Sequence, residues 1–495
     1  MAESATLEIH FINVSQGDSI LVLNRDLGAV RGLLGSAAPL KDIDLVPTAI
    51  GLGRSLQGTV RRAVLIDAGD AQFGDVVVDY LRKHGAIPAT PGPAPALDVV
   101  IGHHHADHED GLRTLFQEVL VTTTPTTAAP HKSGSAKRKT VAAGPAISTR
   151  ARYVPDRFIV TKSSKADPPT RVWRELDALV TAAGSTRVSV WPGATVPSGL
   201  LGFSSAQFVI DLGVGVGGIP IRMLCVCADQ HVYKASTRIG VPGKHPDQNG
   251  RSLCFVVEYG SFRCFLGSDI AGDGGIGGGN PAPTTVQRWF SSHPDIESSL
   301  GPRMAKLFPR SATVSANAPK FPVAGQCDVL KASHHASTSS NDTYFLAELR
   351  PKVIVIPSGI YKRFHRHPTQ ENLDRFTAST TSNWKVRGTT GTTPNTVSGL
   401  FITEIADRYK GTTFTRTLDA TNTFIIGDII VRPTDESVQA VQSAANFGQN
   451  LSIQVYGTSR FTPTGSSADR SLKAATGPNT NAPYPRGPWL FTSQH

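Results

Sequence analysis

The chain has 495 residues, 39% hydrophobic and 18% charged, and its 49 Lys and Arg outnumber its 39 Asp and Glu for a net charge of +10. That balance excludes a disordered tail and leaves enough apolar residues for a large buried core. No apolar run approaches the ~20 residues needed to cross a bilayer, which argues against a membrane partner. Met1-Ala2-Glu3-Ser4 lacks the basic and apolar regions of a secretory signal, so a cytoplasmic location is expected.

In chain order, residues 7–23 read as two strands joined through the Gln16-Gly17-Asp18 turn, and about 24–60 as an irregular excursion. A strand over 63–67, a helix over about 74–84, a strand over 97–102 and a helix over about 110–119 then alternate as in layered α/β folds. Residues about 121–150 are rich in Ser, Thr, Ala and Pro and carry Lys132, Lys137, Arg138 and Lys139. This composition predicts a flexible basic insertion, either a contact for a polyanion or a solvated loop. A helix is expected from Val172 to about Ala183, and strands over 187–191, 207–211 and 219–227.

The glycine-rich stretch 271–280 opens an insertion reaching about 325, and it lacks the closing Lys-Ser/Thr of a phosphate-binding loop. Beyond 380, Thr/Ser/Asn-rich segments alternate with apolar runs such as Thr423–Val431, which predicts a small β-rich extension over 381–495. Cys225, Cys227, Cys254, Cys264 and Cys327 lie mostly in apolar runs and read as buried free thiols suited to a reducing cytoplasm. His10, His84, His293 and His495 sit in no motif and read as structural or exposed.

The chemistry concentrates in Val99-Val100-Ile101-Gly102-His103-His104-His105-Ala106-Asp107-His108-Glu109-Asp110-Gly111. Crowded histidines disfavour one another's protonation, whereas a divalent ion accepts neutral imidazoles and carboxylate together. The H-x-H-x-D-H spacing sets His103 and His105 toward one point and Asp107 and His108 toward a second, which suits two ions better than one. A fortuitous surface loop or a single structural zinc is the plainer alternative, but structural zinc usually relies on thiolates and none lies near.

This segment resembles the signature of the metallo-β-lactamase fold superfamily. Ile9–Val22, with its Gln16-Gly17-Asp18, resembles the opening of the branch typified by the hydrolase domain of the ComEC competence channel and its stand-alone relatives. Val64-Leu65-Ile66-Asp67-Ala68-Gly69 is similar to the next strand. Ser252–Gly260 and Cys264-Phe265-Leu266-Gly267-Ser268-Asp269 resemble the strands leading to a bridging aspartate, with Ser268 where glycine is usual. Asp328–Ser337 resembles the branch's LK-x-x-HHGS motif, with Ala336 in place of glycine, and Val353–Gly359 with His367-Pro368 resembles its closing strand and HP element.

The resemblance implies an α/β, four-layer αββα metallo-β-lactamase sandwich over residues 1–380. It assigns His103 and His105 to one metal, Asp107 and His108 to the other and Asp269 as the bridge; of the His334-His335 pair, His335 is taken to complete the second position, with the reverse assignment left open. His334 would face substrate, and His367 would act as an acid or stand as a surface histidine; Asp107, His334 and His367 are the catalytic candidates. A third histidine for the first metal is unassigned, with His231 and His245 as candidates and Asn249 in the corresponding neighbourhood. Asp18 and Asp67 would orient ligands or merely cap turns. Two divalent ions, zinc or manganese, would lower the pKa of a bound water to about 7 and yield a metal-bound hydroxide. The implied activity is hydrolysis of a phosphoester, as a phosphodiesterase or nuclease with nucleic acid as one candidate partner. The alternatives are a β-lactam or lactone hydrolase, or a non-catalytic metal-binding module.

Overall fold

The computed structural model describes residues 5–35, 40, 42–122, 146–161, 171–190, 208–234, 237–240, 248–260, 262–272, 295–307, 327–359, 367–377, 383–386, 391–409, 412–413, 415–419, 421–433, 451–457, 470–472 and 486–493. The basic residues Lys132, Lys137, Arg138 and Lys139, the candidate His245, and most of the glycine-rich insertion lie outside them.

Strand residues alternate between two faces, and in the central strands of this chain both faces are largely buried. In Ala5–Phe11, Leu7, Ile9 and Phe11 enter one cluster while Glu8 and His10 face the other way, Glu8 meeting Arg25 and His10 meeting Tyr80. In Val60–Ile66, Val64 and Ile66 enter that same cluster and Ala63 and Leu65 a second one. Burial on both faces is what parallel strands covered by helices require.

Among the described residues, two large mixed sheets result. The first has nine strands in the order Arg486–Ser493, Leu451–Gly457, Ile429–Pro433, Ala5–Phe11, Ile20–Asp26, Val60–Ile66, Gly92–Val100, Tyr153–Thr161 and Thr186–Val190. Its pairings are antiparallel up to Val60–Ile66 and parallel thereafter. The second has ten strands. Pro220–Ala228, Cys254–Tyr259 and Phe262–Leu266 run antiparallel, and Phe262–Leu266, Val329–Lys331, Val353–Ile356, Gly399–Ile402 and Thr423–Ile425 run parallel.

One apolar cluster joins the facing sides of both sheets, with Phe11, Val22, Val64 and Val100 from the first meeting Phe255, Val257, Leu266 and Val355 from the second. The far side of the first sheet packs on the helices Gly74–Lys83, Leu112–Phe116 and Arg171–Ala183. The far side of the second packs on Ile296–Leu307, Thr343–Leu349 and Gln370–Thr377.

Several expectations need correction. The excursion over 24–60 holds two helices, Leu27–Leu34 and Asp42–Gly51, because Leu27, Val30, Leu45 and Val46 bury one another against Ile430. The helix expected over 110–119 ends at Phe116, and Gln117–Thr122 instead pairs with Ala146–Ala151 as a hairpin. The run Val119-Leu120-Val121-Thr122 favours a strand once a partner is present. Beyond residue 380 the chain does not stand apart as an extension. Gly399–Ile402 and Thr423–Ile425 enter the second sheet, and Ile429–Pro433, Leu451–Gly457 and Arg486–Ser493 enter the first.

Candidate metal centre

The parallel halves of the two sheets deliver their carboxyl ends to one place, where open α/β sheets bind ligands. Val60–Ile66 ends at Asp67, Gly92–Val100 feeds His103–His108, Phe262–Leu266 ends just before Asp269, and Val329–Lys331 precedes His334 and His335. The Gln16-Gly17-Asp18 turn crosses the histidine loop closely. A Cβ on Gly17, whose φ is +129°, would stand 2.2 Å from the Asp107 carbonyl oxygen, so only glycine fits there.

Asp269 Oδ2 is the point of convergence. It lies 3.3 Å from His108 Nε2, 3.5 Å from His335 Nε2, and 3.8 Å from both His103 Nε2 and His334 Nε2. Asp107 Oδ2 is 3.7 Å from His335 Nε2, and His105 Nδ1 is 3.0 Å from His103 Nε2. All six expected ligands, His103, His105, Asp107, His108, Asp269 and His335, are therefore gathered by these contacts, with His334 beside them. His367 lies at the edge, its ring tilted against that of His334 with the centroids 5.5 Å apart.

Two ligands are oriented from behind. His108 Nδ1 contacts Asp67 Oδ2 at 2.7 Å, and Asp67 Oδ1 accepts the Gly102 amide at 2.6 Å. His335 Nδ1 donates to the Pro357 carbonyl at 2.9 Å. In both rings Nδ1 is committed and Nε2 is left for a ligand atom, the arrangement by which outer hydrogen bonds fix a metal-binding tautomer.

The donor set fits a divalent cation. His108 Nε2, His335 Nε2 and Asp269 Oδ1 are buried without a hydrogen-bond partner, an arrangement that costs free energy unless something else satisfies them. Groups of three that could hold one ion include His103, His108 and Asp269, and Asp107, His108 and His335. Mixed imidazole and carboxylate donors suit zinc and equally admit manganese or iron.

Charge is distributed unevenly among these groups. Burial pushes His103 well below the ordinary histidine value and neighbouring His108 adds to this, leaving a neutral imidazole. Burial also pulls His334 down to about 4. For His108 burial acts the same way, but Asp269 and Asp67 outweigh it and raise this histidine well above 6.5. Asp269 and Asp18 likewise raise His335 against burial. Burial would raise Asp269, yet His335, His108 and His334 hold it well below the usual carboxylate range.

Other residues find different places. His104 turns away, its Nδ1 2.8 Å from buried Glu109 and its ring against Trp173. His231 bonds the Asp229 carbonyl and joins none of the candidate groups among the described residues; Asn249 is buried with its Oδ1 unpartnered. His10 and His84 are fully buried under Tyr80. All five cysteines are buried thiols.

Sequence reasoning missed three supports. Lys331, fully buried, reaches Asp18 Oδ2 at 2.5 Å and the Ser268 carbonyl at 2.8 Å. Asn341 brackets Ser333, accepting its amide at 2.9 Å and donating to its carbonyl at 3.1 Å. Glu297 in turn accepts the Asn341 and Asp342 amides, both at 2.8 Å. Together these hold a turn in which His334, His335 and Ala336 have φ of 49°, 51° and 61°, a left-handed run that L residues adopt only when surroundings impose it.

No protein-family model matches this chain, and no curated protein matches it.

Proposed function

We propose that this chain is a dinuclear metal-dependent hydrolase of phosphodiesters, small or nucleic acid, built as a four-layer αββα sandwich of the metallo-β-lactamase type and related to the ComEC branch. The observation that carries the reading is the convergence of His103, His108, His334 and His335 on Asp269 Oδ2 at the carboxyl ends of both sheets. The apolar cluster between the sheets and the helices outside each support the layering. Buried thiols support a reducing, cytoplasmic setting.

Divalent ions held here, zinc in the first instance and manganese as the alternative, would polarise a phosphoryl oxygen and make a nucleophile available at neutral pH. The protein groups then have separable tasks. His103 and His105 would hold one ion, Asp107, His108 and His335 the other, and Asp269 would serve both. His334 keeps a partly exposed, neutral ring with Nδ1 unpartnered, suited to donate a hydrogen bond to a substrate oxygen. His367, next to it, is placed to approach the leaving group.

The phosphodiester assignment rests on the likeness of Asp328–Ser337 and His367-Pro368 to that branch. Bis-p-nitrophenyl phosphate, single-stranded DNA and nitrocefin assayed in parallel on metal-loaded protein test it. Turnover of a phosphodiester is expected; turnover of nitrocefin alone would replace the reading with β-lactam hydrolysis, and loading without turnover of any would favour a binding module.

A further inference from the structure

His103 and His108 are held from behind by unlike groups. His108 Nδ1 meets the Asp67 carboxylate at 2.7 Å, whereas His103 Nδ1 meets a neutral hydroxyl, Ser268 Oγ, at 3.2 Å. Both partners reach their rings through one slot. A Cβ built on Gly102 would lie 2.5 Å from Asp67 Oδ2 and 2.7 Å from Ser268 Oγ, so the slot exists only because residue 102 has no side chain.

Ser268 holds its hydroxyl there at a conformational cost. Its φ is +46°, a region glycine enters without the Cβ clash that serine suffers. Its backbone work needs no side chain, since the carbonyl alone accepts Lys331 Nζ at 2.8 Å and the His334 amide at 3.0 Å. Glycine would serve those contacts equally, and the hydroxyl remains to be explained by His103.

We propose that Ser268 is a positioning residue for His103, and that the exchange of carboxylate for hydroxyl behind the ring makes the His103–His105 position the weaker of two, filled second. An imidazole backed by a carboxylate is a stronger donor than one backed by a neutral group. The ligand count acts in the same direction. The His108–His335 position has Asp107, 3.7 Å from His335 Nε2, in addition to Asp269, while the His103–His105 position has Asp269 as its carboxylate. This inference rests on the dinuclear reading.

Cobalt(II) titration of metal-stripped full-length protein, followed by its visible spectrum and by calorimetry, tests it with S268G and S268A. The wild type is expected to bind two equivalents in separable steps. Both variants should lose about 10–100-fold in the second step, as loss of an outer partner does, and leave the first within about twofold. Thermal melts of the stripped proteins separate this from a structural effect. S268G removes the left-handed Cβ and should melt no lower than wild type, whereas S268A keeps the clash; equal loss of the second step in both identifies the hydroxyl. An intact second step in either variant, or an equal weakening of both steps, overturns the proposal. A single equivalent in the wild type would refute the dinuclear reading itself, and the proposal with it.

Discussion

Asp67 Oδ2 lies 2.7 Å from His108 Nδ1, and both side chains are fully buried. The pair leaves His108 Nε2 as the candidate ligand atom, so the identity of the Asp67 oxygen matters more than its charge alone. Asp67→Asn can present an amide N–H to Nδ1 and favour the wrong tautomer. Metal affinity is expected to drop about 10–100-fold with the fold retained. Chelator competition measures it, and an unchanged affinity would reduce Asp67 to a turn-capping residue.

Asp107 is the most exposed of the carboxylates at the centre, with a side chain 19% accessible, so its removal costs little packing. Asp107→Ala is therefore expected to lose nearly all phosphodiester turnover while circular dichroism and melting stay close to wild type. Full turnover in this variant would show that the ligand assignment is wrong.

Protons compete with metal at this centre. Asp269 with Asp67 raises His108 well above 6.5, so it carries a proton at neutral pH that a cation must displace, and Asp269 with Asp18 shifts His335 in the same direction. Metal affinity should fall as pH drops from above 7, and binding should release protons. Calorimetry at pH 7 in two buffers of different ionisation enthalpy reads the release directly. Equal apparent enthalpies in the two buffers would contradict it.

A separate pH effect comes from His84, buried with both ring nitrogens unpartnered and stacked 4.2 Å from Tyr80. Burial, reinforced by His10 and Arg25, lowers its pKa well below 6.5. The unfolded chain thus takes up a proton near 6.5 that the folded chain refuses. Stability falls as pH drops below 6.5, and this group contributes a slope of about 1.4 kcal/mol per pH unit until its folded pKa is reached. His84→Phe keeps the stacking and should flatten the pH dependence of stability of the stripped protein between pH 6.5 and 5 by about that slope. Parallel curves for the two proteins would show that His84 is already protonated in the fold.

The candidate ligands were legible because four histidines and an aspartate fall in one stretch of six residues, a density that apolar packing does not explain. Asp18 and Asp67 were legible as possible supports, but Ser268, Lys331 and Glu297 were not, because they act across long sequence gaps. Ser268 meets His103 from 165 residues away, and Lys331 meets the Ser268 carbonyl from 63. Alternating runs announced the early strands, yet nothing local in Ile429–Pro433 says that it pairs with Ala5–Phe11 near the other end of the chain. That pairing is decided by which apolar faces remain uncovered when the sheets meet, a property of the assembled fold.

The central claim is that His103, His105, Asp107, His108, Asp269 and His335 hold two divalent ions. Anomalous diffraction at the zinc edge from crystals grown with zinc tests it most directly. Two peaks about 3.5–4 Å apart are expected, one beside His103 and His105 and one beside His108 and His335, with Asp269 between them. A single peak, or peaks away from Asp269, would contradict it.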